Sequence, residues 1–191
     1  MIDSTRPDGS GLAALFETLE APDNVRVELI GGRIVPSPPP VAGHGGLLRR
    51  LCGRFLEPNM PEGKGVSLSP VTIVLPCSDA DAYVPDLAVL DEDTLWDFDD
   101  WKLSADVVHL VVEVVSAGRE NRHDDREVKP LGYASGPIPL YLLIDPLRQE
   151  VTLFASPSDG KYQERHTVPF GGRIPVPNPF DAVLDTSIFF R

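Results

Sequence analysis

Cysteine is scarce in this sequence, and the two present, Cys52 and Cys77, form no pattern. Without a Cys-x-x-Cys spacing or a dense framework, disulfide staples and thiolate zinc sites are set aside and both are read as buried thiols. Long apolar runs are missing too, and Met1 to Ser10 has neither the basic head nor the apolar stretch of a secretion signal. The expectation is cytoplasmic residence with no membrane partner. Basic charge is short: 17 Lys and Arg against 29 Asp and Glu leave a net charge of −12. Such a surplus of acid repels a polyanion, since non-specific duplex binding draws much of its affinity from cations neutralising phosphates. The charge is nevertheless uneven. Acids concentrate at Asp79 to Asp81 and Asp91 to Asp100, whereas Arg49, Arg50, Arg54, Arg119, Arg122, Arg126 and Lys129 form more basic segments that could fold into a positive face. There is no Gly-x-x-x-x-Gly-Lys phosphate loop, no Gly-x-Ser-x-Gly elbow and no His-Glu-x-x-His, which leaves few competing enzymes.

What is present is enough for one substantial core: 191 residues, 42% hydrophobic. The expected organisation is a helical extension over residues 1–24 and a single globular domain over 25–191. Leu12 to Glu20 reads as a short helix, and Val25 to Ile30 with Arg33 to Val35 as a hairpin turning at Gly31-Gly32. Pro36 to Pro40 reads as loop. His44 to Glu57 has apolar residues at helical spacing, with Arg49, Arg50 and Arg54 on the polar side, and stops at Pro58. Val66 to Leu75, Tyr83 to Leu90, Val107 to Val115 and Leu140 to Ile144 read as strands, and the near-continuous apolar run of the third suits a central strand buried on both faces. Asn121 to Ser135 is weakly helical. Glu150 to Phe154 and Lys161 to Thr167 read as a hairpin, and the Pro-rich tail as irregular strand and loop.

The chemistry concentrates between Val107 and Asp145. Glu113 sits inside Val-Val-Glu-Val-Val, where a charge is expensive to bury unless something positive compensates it; a metal ion is one such partner and Lys129 another. Asp86, after Pro85, is expected where its strand enters the sheet. Two carboxylates and an ammonium are the minimum kit for a metal-dependent phosphodiesterase site. The bland readings stand beside this one: Asp86 as an edge-strand acid, Glu113 as half of a buried ion pair, Asp124 and Asp125 as helix-start acids, Asp145 as a turn residue, His44 as a ring bonded to backbone or solvent. Trp96 and Trp101 suggest a surface flap packing its aromatics on the core. Pro130 directly after Lys129 places that lysine either at a helix break or just outside the first turn of a short helix.

Glu28-Leu29-Ile30-Gly31-Gly32-Arg33, Val84-Pro85-Asp86, Val112-Glu113-Val114-Val115-Ser116, Asp125 with Lys129 and Tyr133-Ala134, and Pro139-Leu140-Tyr141 leading to Ile144-Asp145-Pro146 arrive in one order. That ordered set, from about Glu28 to Phe154, resembles the Uma-two family of restriction-type endonucleases in the PD-(D/E)XK nuclease superfamily. The resemblance implies an α/β (α+β) restriction-endonuclease-like fold, a mixed central sheet flanked by helices with additional β-hairpins. It also implies a site: Asp86 as the motif aspartate, Glu113 as the acid of the (D/E)XK element and Glu28 as the N-terminal acid. Val115 stands where the standard motif has lysine, and Lys129 on the following helix fits that role; His44 is a supporting residue. Asp86, Glu113 and the Val114 carbonyl would supply hard oxygen ligands for Mg²⁺ (or Mn²⁺), which would activate a water for phosphodiester hydrolysis.

The leading expectation is therefore a Mg²⁺-dependent endonuclease acting on DNA, as a homodimer so that two sites address two strands. The alternative is a catalytically inactive nuclease fold that serves as a binding or assembly module for a protein partner. Hydrolysis of a smaller phosphoester is a third reading.

Overall fold

The computed structural model describes residues 10–19, 25–37, 40–68, 70–76, 81–96, 102–116, 118 and 122–190. Helix α1 (Ser10–Thr18) is followed by the expected hairpin of β1 (Arg26–Ile30) and β2 (Arg33–Ser37). Gly31 and Gly32 take φ of 55° and 69° at its turn, the left-handed pair that a tight two-residue hairpin needs. Strand β2 runs through Pro36 and Ser37, so two of the five residues expected as loop are edge strand, a place where proline's missing donor does no harm. Helix α2 (Ala42–Leu51) continues into a π-type turn, Cys52–Leu56, and a 3-10 turn, Glu57–Asn59.

The middle of the chain departs most from the sequence reading. Val66 to Leu75 is two strands, β3 (Lys64–Ser67) and β4 (Thr72–Val74), and Tyr83 to Leu90 is also two, β5 (Ala82–Tyr83) and β6 (Leu87–Asp91). Each pair straddles two sheets. After β7 (Lys102–Ser104) come β8 (Val108–Val114), α3 (Lys129–Ser135), β9 (Leu140–Asp145), β10 (Glu150–Ser158) and β11 (Lys161–Pro169). The tail is a defined hairpin, β12 (Arg173–Val176) with β13 (Ala182–Asp185), rather than irregular chain.

Strand order is β2-β1-β5-β4-β7 in one sheet and β11-β10-β9-β8-β6-β3 in the other. The second is mixed: β8 and β9 are parallel, and their crossover carries α3 over one face. Val111 and Val115 point to that face and pack with Tyr83, Tyr133 and Tyr141; Val112 and Val114 point to the other and pack with Phe55, Leu56 and Leu184. Strand β8 is thus central and buried on both sides, as its composition suggests. Cys52 is a buried free thiol, while Cys77 and Trp101 lie outside the described residues. Trp96 is 71% exposed, so the expected aromatic flap does not dock through it. Its neighbour Leu95 takes the contact instead, above Gly65, where a Cβ would lie 2.3 Å from Leu95 Cδ1.

Candidate active site

Alternation along β8 sends Glu113 to the face covered by the crossover, where its side chain is 3% exposed. Compensation arrives from α3: Lys129 Nζ lies 2.8 Å from Glu113 Oε1, and Tyr133 Oη donates to the same oxygen at 2.9 Å. Lys129 reaches because the chain is helical through it, with φ −59° and ψ −37°. The clash that Pro130 would cause with the preceding turn is relieved by the wider π-type turn at Asp124–Val128, in which Lys129 N–H bonds Asp124 O. Of the two placements open in sequence, the short-helix one is closer, with Lys129 as its first residue.

The same ammonium gathers two further acids. Glu28 Oε1 is 3.1 Å away and also accepts the Val84 N–H at 2.8 Å, while Asp125 Oδ1 is at 3.5 Å. Asp86 stands beside them, at the step between the two sheets. Its N–H donates to Val112 O at 3.1 Å, Val114 N–H donates to its Oδ2 at 2.8 Å, and Arg26 Nη2 meets its Oδ1 at 3.0 Å. Both carboxylates therefore attach to the end of β8 and face one cleft, of about 320 Å³, lined by Glu28, Asp86, Glu113, Asp124, Asp125 and Lys129.

His44, near the start of α2, places Nε2 2.7 Å from the Val114 carbonyl oxygen. A carbonyl only accepts, so Nε2 carries the proton and the ring is fixed by backbone. Asp145 combines its expected turn role, accepting from Leu147 and Arg148 N–H, with an ion pair to Arg126 at 2.5 Å.

Electrostatics follow from burial. Desolvation drives the Glu113 pKa up; Lys129 pulls it down, Asp86, Asp125 and Glu28 push it up again, and it settles at about 8. Asp125 moves the same way, to about 6, with burial again the first cause and Lys129 the main opposition. Burial works against the Lys129 charge, but Glu113, Glu28 and Asp125 outweigh it and hold the ammonium proton more tightly than usual.

Three participants escaped sequence reasoning. Arg26 sits two residues before Glu28 and so shares its strand face, a signal that was available. Asp81 was read as part of an acidic loop, yet it is buried and accepts from Gly31 N–H at 2.9 Å and Tyr83 Oη at 2.7 Å, bracing the turn that presents β1. Asp124, read as a helix-start acid, is buried, pairs with Arg33 at 2.8 Å through Oδ1, and leaves Oδ2 without a hydrogen-bond partner among the described residues.

The donor set suits a hard divalent cation. Asp86, Glu113, Val114 and Asp124 all line one cleft and offer carboxylate or carbonyl oxygens, and Asp124 Oδ2 is unsatisfied among the described residues. Among the described residues no three acidic, thiol or imidazole side chains form a ready cage, because Arg26 and Lys129 stand between the acids.

No curated protein matches the sequence. Among solved structures, the chain is similar to one described as "a putative nuclease belonging to DUF820 from Anabaena variabilis ATCC 29413". The identity is 18%, the TM-score 0.67, and the match covers 92% of this chain and 94% of that one, so it shows the fold, a mixed α/β architecture. The family model described as "Uma2: Putative restriction endonuclease" matches residues 13–187. With nearly the whole chain matched, this protein belongs to the Uma2 family.

Proposed function

We propose that this chain is a Mg²⁺-dependent (or Mn²⁺-dependent) endonuclease that hydrolyses phosphodiester bonds of DNA. The observation that carries the reading is the meeting, in one cleft, of Glu28, Asp86, Glu113 and Lys129, residues drawn from two sheets and a helix. Family membership and fold support nuclease chemistry. Asp86, Glu113 and the Val114 carbonyl would hold the cation, in a cleft that Asp124 also lines. Bound there, the ion would supply Lewis acidity and a lowered pKa for water.

The remaining work falls to side chains. Lys129 neutralises Glu113 and Glu28, and its ammonium is placed to orient a water or meet charge developing on a phosphate oxygen. Glu28 holds Lys129 in that place and fixes Val84 N–H, hence the strand step that carries Asp86. Tyr133 selects the orientation of Glu113 by donating to Oε1. His44 fixes the Val114 carbonyl through Nε2. Arg26 sits on Asp86 and must yield at least one oxygen to a cation. We assign a cytoplasmic homodimer as the working form, since two sites are needed to cut two strands.

Arg26 and Lys129 already pair with the acids, which also favours a second reading: a binding or assembly module for a protein partner in which the cluster is a structural ion network. One experiment separates them. Plasmid cleavage with Mg²⁺ should be lost in Asp86→Ala and in Glu113→Ala, by more than a hundredfold in rate. Cleavage unchanged in both variants removes the assignment, and wild-type protein that neither cleaves nor binds the ion favours the module.

A further inference from the structure

Helix α2 carries a cationic surface that the cleft does not use. Arg49, Arg50 and Arg54 line a pocket of about 480 Å³ against Ser187, Ile188 and Phe190, and no carboxylate is among the residues lining it. In a chain of net charge −12 that exclusion is unusual. Arg50 is committed to the fold, donating to the carbonyls of Ile188 and Phe190. Arg49 and Arg54 are exposed and have no ion-pair partner among the described residues.

The pocket is continuous with the cleft. Arg49 also lines a groove of about 990 Å³ that contains Arg26, His44 and Asp86, and those three line the cleft as well. Glu57 is the one acid of that groove besides Asp86. From His44 to Arg54 the helical path rises about 15 Å. At roughly 3.4 Å of rise per phosphate on one strand, that is about four nucleotides.

The exposed side of this helical path is also bare. A Cβ built at Gly43, Gly45, Gly46 or Gly53 would meet nothing within 4 Å. Glycine weakens a helix interior relative to alanine. Here neither packing nor a positive φ asks for it. What the missing side chains leave is room for another backbone to approach the helix closely.

We infer that α2 and its π-type extension track the sugar-phosphate backbone of a DNA strand, Arg49 holding a phosphate about two nucleotides and Arg54 one about four nucleotides from the one in the cleft. The inference rests on the reading of the cleft as a phosphodiester hydrolase site, and it names the surface that offsets the repulsion of an acidic body.

The test is fluorescence anisotropy of a labelled duplex with Ca²⁺ in place of Mg²⁺, across a salt series, for wild type, Arg49→Ala/Arg54→Ala and Gly53→Leu. The double substitution should weaken binding at least tenfold and make the slope of log K against log salt shallower by roughly two. Gly53→Leu keeps every charge and should also weaken binding, by filling the bare face. Hydrolysis of bis(p-nitrophenyl) phosphate should stay at the wild-type rate in both, since none of the three residues lines the cleft, and the melting temperature should fall in neither. Wild-type affinity and slope in both variants would overturn the surface while leaving the cleft reading intact. A wild type that binds no duplex, or binds anionic vesicles in its place, overturns it as well. Duplex binding that is lost on substitution, in a protein that hydrolyses neither substrate, upholds the surface and fails the cleft.

Discussion

Lys129 is the residue on which the cluster turns, because its buried ammonium lies within 3.5 Å of three buried carboxylates. Removing one partner of a buried pair costs far more than the pair contributes, since the other charge stays buried alone. Lys129→Met should therefore lose about 3–5 kcal/mol of stability, and Glu113→Gln added to it should restore part of the loss. Urea unfolding of the wild type and the two variants measures this; a midpoint unmoved by Lys129→Met would mean the ammonium does not hold the acids together. Glu113 and Asp125 make the same point through pH. Their folded pKa values, about 8 and about 6, lie above the ordinary 4.5 and 3.8, so the folded chain binds more protons across that window. Their contribution to stability is full below the ordinary values and is lost as pH rises through about 6 and then about 8. The metal-free melting temperature should fall along that range, with Glu113→Gln flattening its upper part. Mg²⁺ should raise it more at pH 8 than at pH 6, because a cation needs the deprotonated carboxylates. An equal shift at both values would separate ion binding from these acids.

At the scale of elements, α3 shows how a sequence that reads poorly as helix can be a precise one. Its glycine looks like a weakness, yet a Cβ at Gly132 would stand 2.3 Å from Tyr83 Oη and 2.4 Å from its ring. Gly132→Ala should therefore cost about 1–3 kcal/mol by overpacking, against the gain expected from alanine in a helix. Because α3 carries Lys129, nuclease activity should fall with it; a stabilised variant of full activity would show that α3 tolerates displacement from Tyr83. The existence of α3 was legible in Asn121 to Ser135, as were the β1–β2 turn in Gly31-Gly32 and the burial of β8 in its valines. Strand divisions were not. The apolar run through Tyr83 to Leu90 carries no mark of which sheet each half joins, and the Val84-Pro85-Asp86 break becomes visible only when Asp86 N–H is seen on Val112 O. Pairing is a contact between distant segments, and period-two patterning is silent about partners. The same limit hid Asp81, whose part depends on a turn more than forty residues away.

For the whole molecule, the decisive feature is that two cores share one sheet. Leu140, Leu142 and Ile144 of β9 enter the core beneath α2 and the tail hairpin, whereas Tyr141 and Leu143 enter the one beneath α3. The strands β6 and β8 divide in the same way, so neither core can lose its packing without exposing the back of the other. Even α1, expected as an extension, buries Phe16 against Leu29 of β1 and Ala82 of β5. We therefore expect residues 25–191 to unfold in one cooperative step, with calorimetric and van't Hoff enthalpies equal and with near-ultraviolet and far-ultraviolet circular dichroism melting together. Ile144→Ala and Tyr141→Ala, one in each core, should each lower that single transition by about 2–5 kcal/mol. If instead the second left a separate, earlier transition while β10 and β12 stayed folded, the two cores would be independent units and the sheet between them a boundary.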